Sequence, residues 1–474
     1  MSLNKSSKDN FAKGMFSLAV PIALQNLMTS SFALIDTLMV SQLGDICLAS
    51  VGMAGQWSWF LNIAIFGICS GASVFFSQYF GDGNTKGFIK SYGLSLVSGF
   101  IISMLFALSA FFFPEGIVSI FNRTPEVVAT GSKYLKIALF SYPAILLNQL
   151  SCTVLRSSRE VKLPMYTAMF TTIMNAFLDY SLIFGKFGFP ELGVKGAAIA
   201  TVISAWSGPI IIYVVCAFQR NQILFAHLGD LFTFPKNFVS EFFRKVTPVF
   251  INESLWGLGT MSYNIIYSNM GYEYSAATTI LRTIENIAFS FFVGFNNAGS
   301  IVVGQCVGSG KIKNAISQAK KYILVVPIAG VLIGILVALF RNQLISIFNF
   351  GGNISETTLN AARGILIIYA IAIGIKNINY VTIAGIFRAG GETKKAMKYD
   401  IFGLWALSLP ATFIAAFVLK LPFVIVFLVS HIFEDYIKCF LSIRLFVSMK
   451  WIKPVTESGQ LALKEYLEER KSKK

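Results

Sequence analysis

Twelve stretches of this chain are apolar for about the length of one membrane crossing, and that recurrence constrains the fold more than any motif does. A helix needs about 20 mainly apolar residues to cross the hydrocarbon core. Runs of that kind are read at 15–41, 48–79, 91–113, 127–155, 163–184, 193–217, 246–270, 277–306, 317–339, 357–387, 398–419 and 421–447. Charge content agrees: 13% of the 474 residues are Asp, Glu, Lys or Arg, against about 25% in soluble domains. With 55% apolar residues and 45 phenylalanines, a disordered chain is excluded. A water-soluble enzyme of this length would leave much of that surface wet. The expectation is an all-α integral membrane protein of twelve transmembrane helices.

The formal charge of +16 would suggest a nucleic-acid partner in a soluble protein, but here the basic residues collect in short connections. With the N-terminus inside, 28 of the 39 Lys and Arg fall on inner segments and 8 on outer loops, which is the positive-inside bias. Both termini are expected in the cytoplasm, the protein in the plasma membrane, and no nucleic acid as partner. The polar start carries no cleavable leader pattern, so the first span is expected to be retained. Six cysteines stand singly in apolar runs without a CxxC and read as small core residues.

The chain also repeats itself. Pro21 recurs as Pro248, and Gln78-Tyr-Phe-Gly81-Asp-Gly83 recurs as Gln305-Cys-Val-Gly308-Ser-Gly310, both 227 residues on. Arg156…Glu160-Val-Lys162 recurs as Arg388…Glu392-Thr-Lys394 at 232. Three matches nearly in register give two six-helix repeats of the same orientation, related by an axis along the membrane normal, an arrangement of secondary transporters. The domains expected are an N-terminal lobe 1–217, a cytoplasmic interfacial linker 218–245, a C-terminal lobe 246–447 and a charged cytoplasmic tail 448–474. Without a P-loop pattern, the glycine motifs read as tight turns at helix ends.

An ionisable group in the bilayer costs about 2.5–3.5 kcal/mol even on the lenient insertion scale, so each one asks for a reason. Asp36 in the first span, Asn175 and Asp179 one turn apart in the fifth, and Thr201 in the sixth share one depth. Such an oxygen-rich set suits Na⁺, or a carboxylate pair sharing a proton; a plain hydrogen-bond knot would not need two acids. The second half holds Glu253, Lys376 and Lys438, with Glu434 and Asp435 a turn further out. Two readings of Glu253 stay open, a contact for cargo or proton and a structural partner of Lys376. Arg282 and Glu285 read as a self-neutralising pair; Asn286 and Asn297 either line a cleft or bridge helices. Trp256, Thr260, Tyr263 and Tyr267 follow Glu253 along one side of the seventh span, a face for a lipophilic cation or simple packing. Glu253, Trp256, Tyr263 and Lys376 are the candidate cargo contacts. His431 reads as a hydrogen-bonded core histidine, with a proton relay as the alternative.

Ala33-Leu-Ile-Asp36-Thr-Leu-Met-Val-Ser-Gln-Leu-Gly44 with Ala49-Ser-Val-Gly52, Phe187-Gly-Phe-Pro190 through Thr201, both Gln-x-x-Gly-x-Gly motifs and Pro248…Glu253 resemble the multidrug and toxic compound extrusion (MATE) transporters over nearly the whole chain. That resemblance implies a V-shaped twelve-helix exporter, alternating access, driven by inward flow of H⁺ or Na⁺ with no other cofactor. Its usual cargo is amphipathic organic cations, and a monomer in the lipid is expected. By resemblance Asp36, Asn175, Asp179 and Thr201 bind the coupling ion, with Asp36, Asn175 and Asp179 as ligands if it is Na⁺. Two departures stand out: Phe32 where some relatives carry Tyr, and Lys376 near where some carry a carboxylate. No catalytic residue is expected, since the chain has neither HExxH nor GxSxG and its two histidines lie far apart. The alternative is a lipid-linked oligosaccharide flippase of the same superfamily, which should line its cavity with Lys and Arg. Arg282, Lys376 and Lys438 against Asp36, Asp179, Glu253, Glu285, Glu434 and Asp435 within the spans favour cationic cargo.

Overall fold

The computed structural model describes residues 10–348 and 354–472. The polar head 1–9, residues 349–353 and the last two residues of the tail lie outside the described residues. Twelve long helices follow one another: α1 (Asn10–Ser41), α2 (Asp45–Asp82), α3 (Thr85–Phe112), α4 (Pro125–Ser157), α5 (Lys162–Phe184) and α6 (Val194–Phe218). The second six are α7 (Lys236–Met270), α8 (Tyr272–Gly308), α9 (Ile312–Leu339), α10 (Glu356–Phe387), α11 (Thr393–Val418) and α12 (423–447). Each expected span lies on one of them. Among the described residues nine helices are long and apolar enough to cross a membrane by composition alone. The other three, α5, α7 and α12, are those whose apolar runs are interrupted by Asn175 and Asp179, by Asn252 and Glu253, and by Glu434, Asp435 and Lys438.

The repeat is built into the helix boundaries. Thr85–Phe112 and Ile312–Leu339 are offset by 227 at both ends, and so are the short helices Pro114–Phe121 and Arg341–Phe348. The next helices start at Pro125 and Glu356, an offset of 231, so the four extra residues fall in the connection after the short helix. One feature is not repeated. Wide π-type turns occur at Tyr380–Phe387, Phe402–Ser408, Ile414–Val418 and Ile432–Tyr436, all in the second repeat among the described residues. Turns of this kind often mark functional positions.

The chain divides into two compact units. Unit I holds α1 up to Ala23, Ser77–Gly83 and the chain from Ile251 onward; unit II holds Leu24–Phe76 and Asn84–Phe250. The boundaries in α1 and α7 each fall two residues after a helix-interior proline, Pro21 and Pro248. A proline removes one backbone hydrogen bond and weakens the helix there. Within unit II, α7 lies so close to α2 that a Cβ on Gly67 would meet the Phe250 Cα at 2.9 Å, and one on Gly71 the Val246 Cα at 2.9 Å. Within unit I, a Cβ on Gly294 of α8 would strike Ala19 and Ala23 of α1. Residues 67 and 294, like 23 and 250, are 227 apart, so one contact is built twice.

The glycine motifs do two jobs. Gly83 and Gly310 adopt φ of +76° and +72°, the left-handed conformation that ends a helix and that glycine takes without steric cost; these are the expected tight turns. The preceding glycines make a reciprocal crossing in unit I. A Cβ on Gly81 would strike the backbone of Gln305, and one on Gly308 the backbone of Gln78.

The tail closes over this crossing. Trp451 is fully buried, the Lys453 ammonium is 2.5 Å from Glu392, and the Val455 N–H donates to Gln78 Oε1 at 2.8 Å. Gln78 Nε2 in turn donates to the Ala389 carbonyl at 2.8 Å, and Thr456 Oγ1 donates to the Gly308 carbonyl at 2.7 Å. A last helix, α13 (Glu457–Ser472), follows, with Lys313 paired to Glu469 at 2.9 Å. Residues 218–245 are likewise more ordered than a linker. They contain a short helix, Leu228–Phe232, against α3, and from Lys236 they already belong to α7. Charged residues end an apolar run, but they do not end a helix.

Candidate functional site

Unit II gathers Asp36 from α1, Tyr134 from α4, Asn175 and Asp179 from α5 and Thr201 from α6. Small residues allow the approach: a Cβ on Gly196 of α6 would strike the Leu182 carbonyl of α5. Thr172 Oγ1 of α5 donates to the Met28 carbonyl of α1 at 3.3 Å. Arg156 of α4 donates twice to Gln25 Oε1 of α1, at 2.7 and 3.2 Å. Asp36 and Asp179 each stand five residues before the end of their helix, about 8 Å at 1.5 Å per residue.

Asn175 and Asp179 are fully buried. Both Asp179 carboxylate oxygens, both polar atoms of the Asn175 amide and Asp36 Oδ1 are buried without a hydrogen-bond partner from the chain. The two carboxylates act on each other electrostatically, and both act on the Tyr134 hydroxyl, which is a hydrogen-bond neighbour of Thr201. All four residues singled out in the sequence for the first half are therefore brought together. Tyr134 was not singled out, because one tyrosine near the start of an apolar run between Lys133 and Lys136 gives no signal.

Unit I sorts the second half differently from the sequence reading. Glu253 does not pair with Lys376. Its partner is Arg388, at 2.6 Å, at the far end of α10, and Lys376 pairs with Glu285 of α8. Glu285 is thus neutralised across helices rather than by Arg282 on its own. Lys438 bridges Asp400 at 2.5 Å and Glu434 at 2.9 Å, and Asn252 Nδ2 donates to Asp400 at 2.9 Å. Asp400 and Arg388 were missed because each sits near a span end, where charges normally face water. Depth separates Lys376 from Arg388, 12 residues apart on one helix or about 18 Å along its axis, and helix rotation decides the other partners.

The aromatic face of α7 splits. Tyr263 and Tyr267 stack with centroids 6.0 Å apart. The Tyr263 hydroxyl lies 2.8 Å from Glu434 and 2.6 Å from Ser408, and Tyr267 reaches Ser430 at 3.1 Å. Both serve packing and the polar network, while Trp256 remains 44% exposed. His431 Nδ1 lies 3.1 Å from the Phe427 carbonyl. Asn297 bonds within its own helix and Asn286 is exposed. Among the described residues no group of three or more His, Cys, Asp and Glu side chains is arranged to hold a metal ion.

The MatE family model matches residues 21–181 and 248–414, one match in each repeat. A probable multidrug resistance protein NorM of Thermotoga maritima is 26% identical over 458 residues, 95% of each chain. A probable multidrug resistance protein of Bacillus subtilis, YoeA, is 26% identical over 424 residues, 88% of this chain and 89% of its own. Among solved structures, a MATE protein crystallised in complex with MaL6 superposes with a TM-score of 0.82 at 18% identity, over 93% of this chain and 97% of that one.

Proposed function

The chain belongs to the MatE family of membrane transporters, and on that premise we propose that it exports amphipathic organic cations by antiport against H⁺ or Na⁺ taken up at Asp36 and Asp179. The observation that carries the reading is the set of polar atoms on α1 and α5 that the chain leaves without partners. An unsatisfied buried polar group costs about 1–3 kcal/mol, more when charged. A chain that keeps two acids and an amide in that condition on neighbouring helices holds them for something it does not itself supply. A proton on either carboxylate removes the repulsion between them, and Na⁺ would be met by the Asp36, Asn175 and Asp179 oxygens, with Thr201 and Tyr134 alongside. The names of the relatives support drug-like cargo.

The mechanism follows from where the acids sit. Asp36 lies on the part of α1 beyond Pro21, in unit II, whereas the part before it belongs to unit I. Ion uptake at Asp36 changes the electrostatic free energy of one segment of a helix weakened in its middle, and so biases the bend between the segments. Alternating access then links ion uptake to cargo release. The positive-inside distribution supports a cytoplasmic side for the termini, the glycine motifs and the tail, and we propose a monomer of the plasma membrane.

The test is efflux of a fluorescent cation from everted vesicles under separately imposed pH and Na⁺ gradients. Acceleration by one gradient, lost in Asp36→Asn while the protein stays folded, is expected. Indifference to both gradients overturns the antiport reading.

A further inference from the structure

Arg282 is a cation inside a membrane helix with no carboxylate at ion-pair distance among the described residues. The acid three residues away, Glu285, is taken by Lys376. Lys376, Arg388 and Lys438 of the same unit each have an acidic partner. An intramembrane ionisable residue is costly and normally marks a functional position; an unpaired guanidinium with five donors is an extreme case.

Its surroundings are accessible. The Lys376 and Glu285 side chains are 39% and 23% exposed, whereas those of the Lys438–Asp400 pair are 4% and 16% exposed. Charged side chains do not turn that much surface toward hydrocarbon, so this surface faces water. The sequence of α8 supports this: Thr279, Arg282, Thr283 and Asn286 lie at helical spacing on one face, with Thr279 and Asn286 exposed and the other two half-exposed. On this wall Arg282 and Lys376 accompany Glu285, and Asp435, buried on α12, also acts electrostatically on Lys376, which leaves Arg282 as the cation without an ion-pair partner among the described residues.

We propose that Arg282, reinforced by Lys376, is an anion-accepting subsite on this wall, which selects among amphiphilic cargo for molecules in which a carboxylate accompanies the cationic group. Guanidinium and carboxylate match as a planar, bidentate pair, and the uncommitted donors of Arg282 supply half of that pair. This inference rests on the transport reading above for its role, but the subsite is a statement about binding.

The test uses rhodamine B, a zwitterion with a free carboxylate, and its ethyl ester, the same ring system as a pure cation. Binding of both to the purified full-length protein in phosphatidylcholine nanodiscs is compared for wild type, Arg282→Gln and Arg282→Lys. Expected is a loss of about tenfold or more in rhodamine B affinity in Arg282→Gln, the scale of a charge-assisted hydrogen bond, with ester binding unchanged or tighter. Partial recovery is expected in Arg282→Lys. Equal loss of both dyes, or no change in either, overturns the subsite. If adding phosphatidylglycerol to the nanodiscs abolishes the wild-type preference for rhodamine B, the anion held there is a lipid headgroup and the cargo assignment is overturned. Failure of gradient-driven efflux with the dye selectivity intact would count against antiport alone.

Discussion

The pair formed by Glu253 and Arg388 allows a prediction whose sizes come from the molecule itself. The first repeat sets a neutral group against its corresponding arginine, from a position one residue out of register with Glu253: Arg156 donates to the carboxamide oxygen of Gln25 at 2.7 and 3.2 Å. In the second repeat Arg388 meets the Glu253 carboxylate at 2.6 Å, with side chains 5% and 13% exposed. Glu253→Gln keeps a carboxamide acceptor for the arginine, as Gln25 does for Arg156, and should cost about 1 kcal/mol, the difference between a charge-assisted and a neutral hydrogen bond. Glu253→Met removes the acceptor and leaves a buried guanidinium without its carboxylate, which costs about 3–5 kcal/mol. Glu253→Met with Arg388→Met removes both and should recover most of that. A double-mutant cycle of unfolding in detergent measures the coupling. The Glu253→Met and Lys376→Met cycle serves as control, additive within about 0.5 kcal/mol because these residues share no partner. Coupling of Glu253 to Lys376 instead of Arg388, or equal destabilisation by Gln and Met, refutes the reasoning. Efflux then assigns the carboxylate: Glu253→Gln, stable but inactive, would show that its charge serves transport and not the fold.

Asp179→Asn should abolish gradient-driven efflux as Asp36→Asn does while leaving the melting temperature equal or higher, since repulsion between the acids is relieved; wild-type transport by either variant would exclude that residue from coupling. Pro21→Ala restores a helix hydrogen bond at the boundary within α1 and should slow transport with ion binding kept; equal loss of both would indicate a folding defect. Gly308→Ala, whose Cβ would strike the Gln78 backbone, should destabilise by about 1–3 kcal/mol, as overpacking does, and Gly81→Ala by a similar amount; thermal unfolding reads both, and a neutral result for either would show that the crossing is loose. Trp451→Ala empties a fully buried site and should cost about 3–5 kcal/mol, measurable in the same way; a silent substitution would mean that the tail is not docked.

The reach of the sequence followed the kind of information each feature needs. Span number and the repeat were legible because both are one-dimensional, a matter of run length and offset. The grouping of polar residues on α1, α5 and α6 was legible because acids in apolar runs are conspicuous and their depth can be counted from the ends. Ion-pair partners were not. Glu253 has Lys376, Arg388 and Lys438 as cationic candidates, and choosing among them requires the depth at which α7 meets α10 as well as the rotation of α7, α10 and α12 about their axes. That rotation is set by packing and, on α10 and α12, by π turns that shift every later side chain around the helix. Helix ends were extended by charged residues that look like loop, as at Lys236–Lys245, and the segment expected as a charged cytoplasmic tail buries Trp451 and Val455.

The reciprocal crossing of α2 and α8 has the form of an isologous dimer contact, the same surface meeting itself across a two-fold. In a true homodimer every substitution is made twice, so a residue facing its own symmetry mate has little freedom. Here both copies are in one polypeptide, and each position is free to change alone. Glycine persists at both 81 and 308 because each is held by the other copy's backbone, which no side-chain change can relieve. Away from the crossing that obligation lapses. Gln25 and Glu253 meet corresponding arginines from positions one residue out of register, since Gln25 matches Asn252, and one is neutral while the other is charged. Covalent fusion thus lets one molecule keep a symmetric bearing while its two halves carry different chemistry.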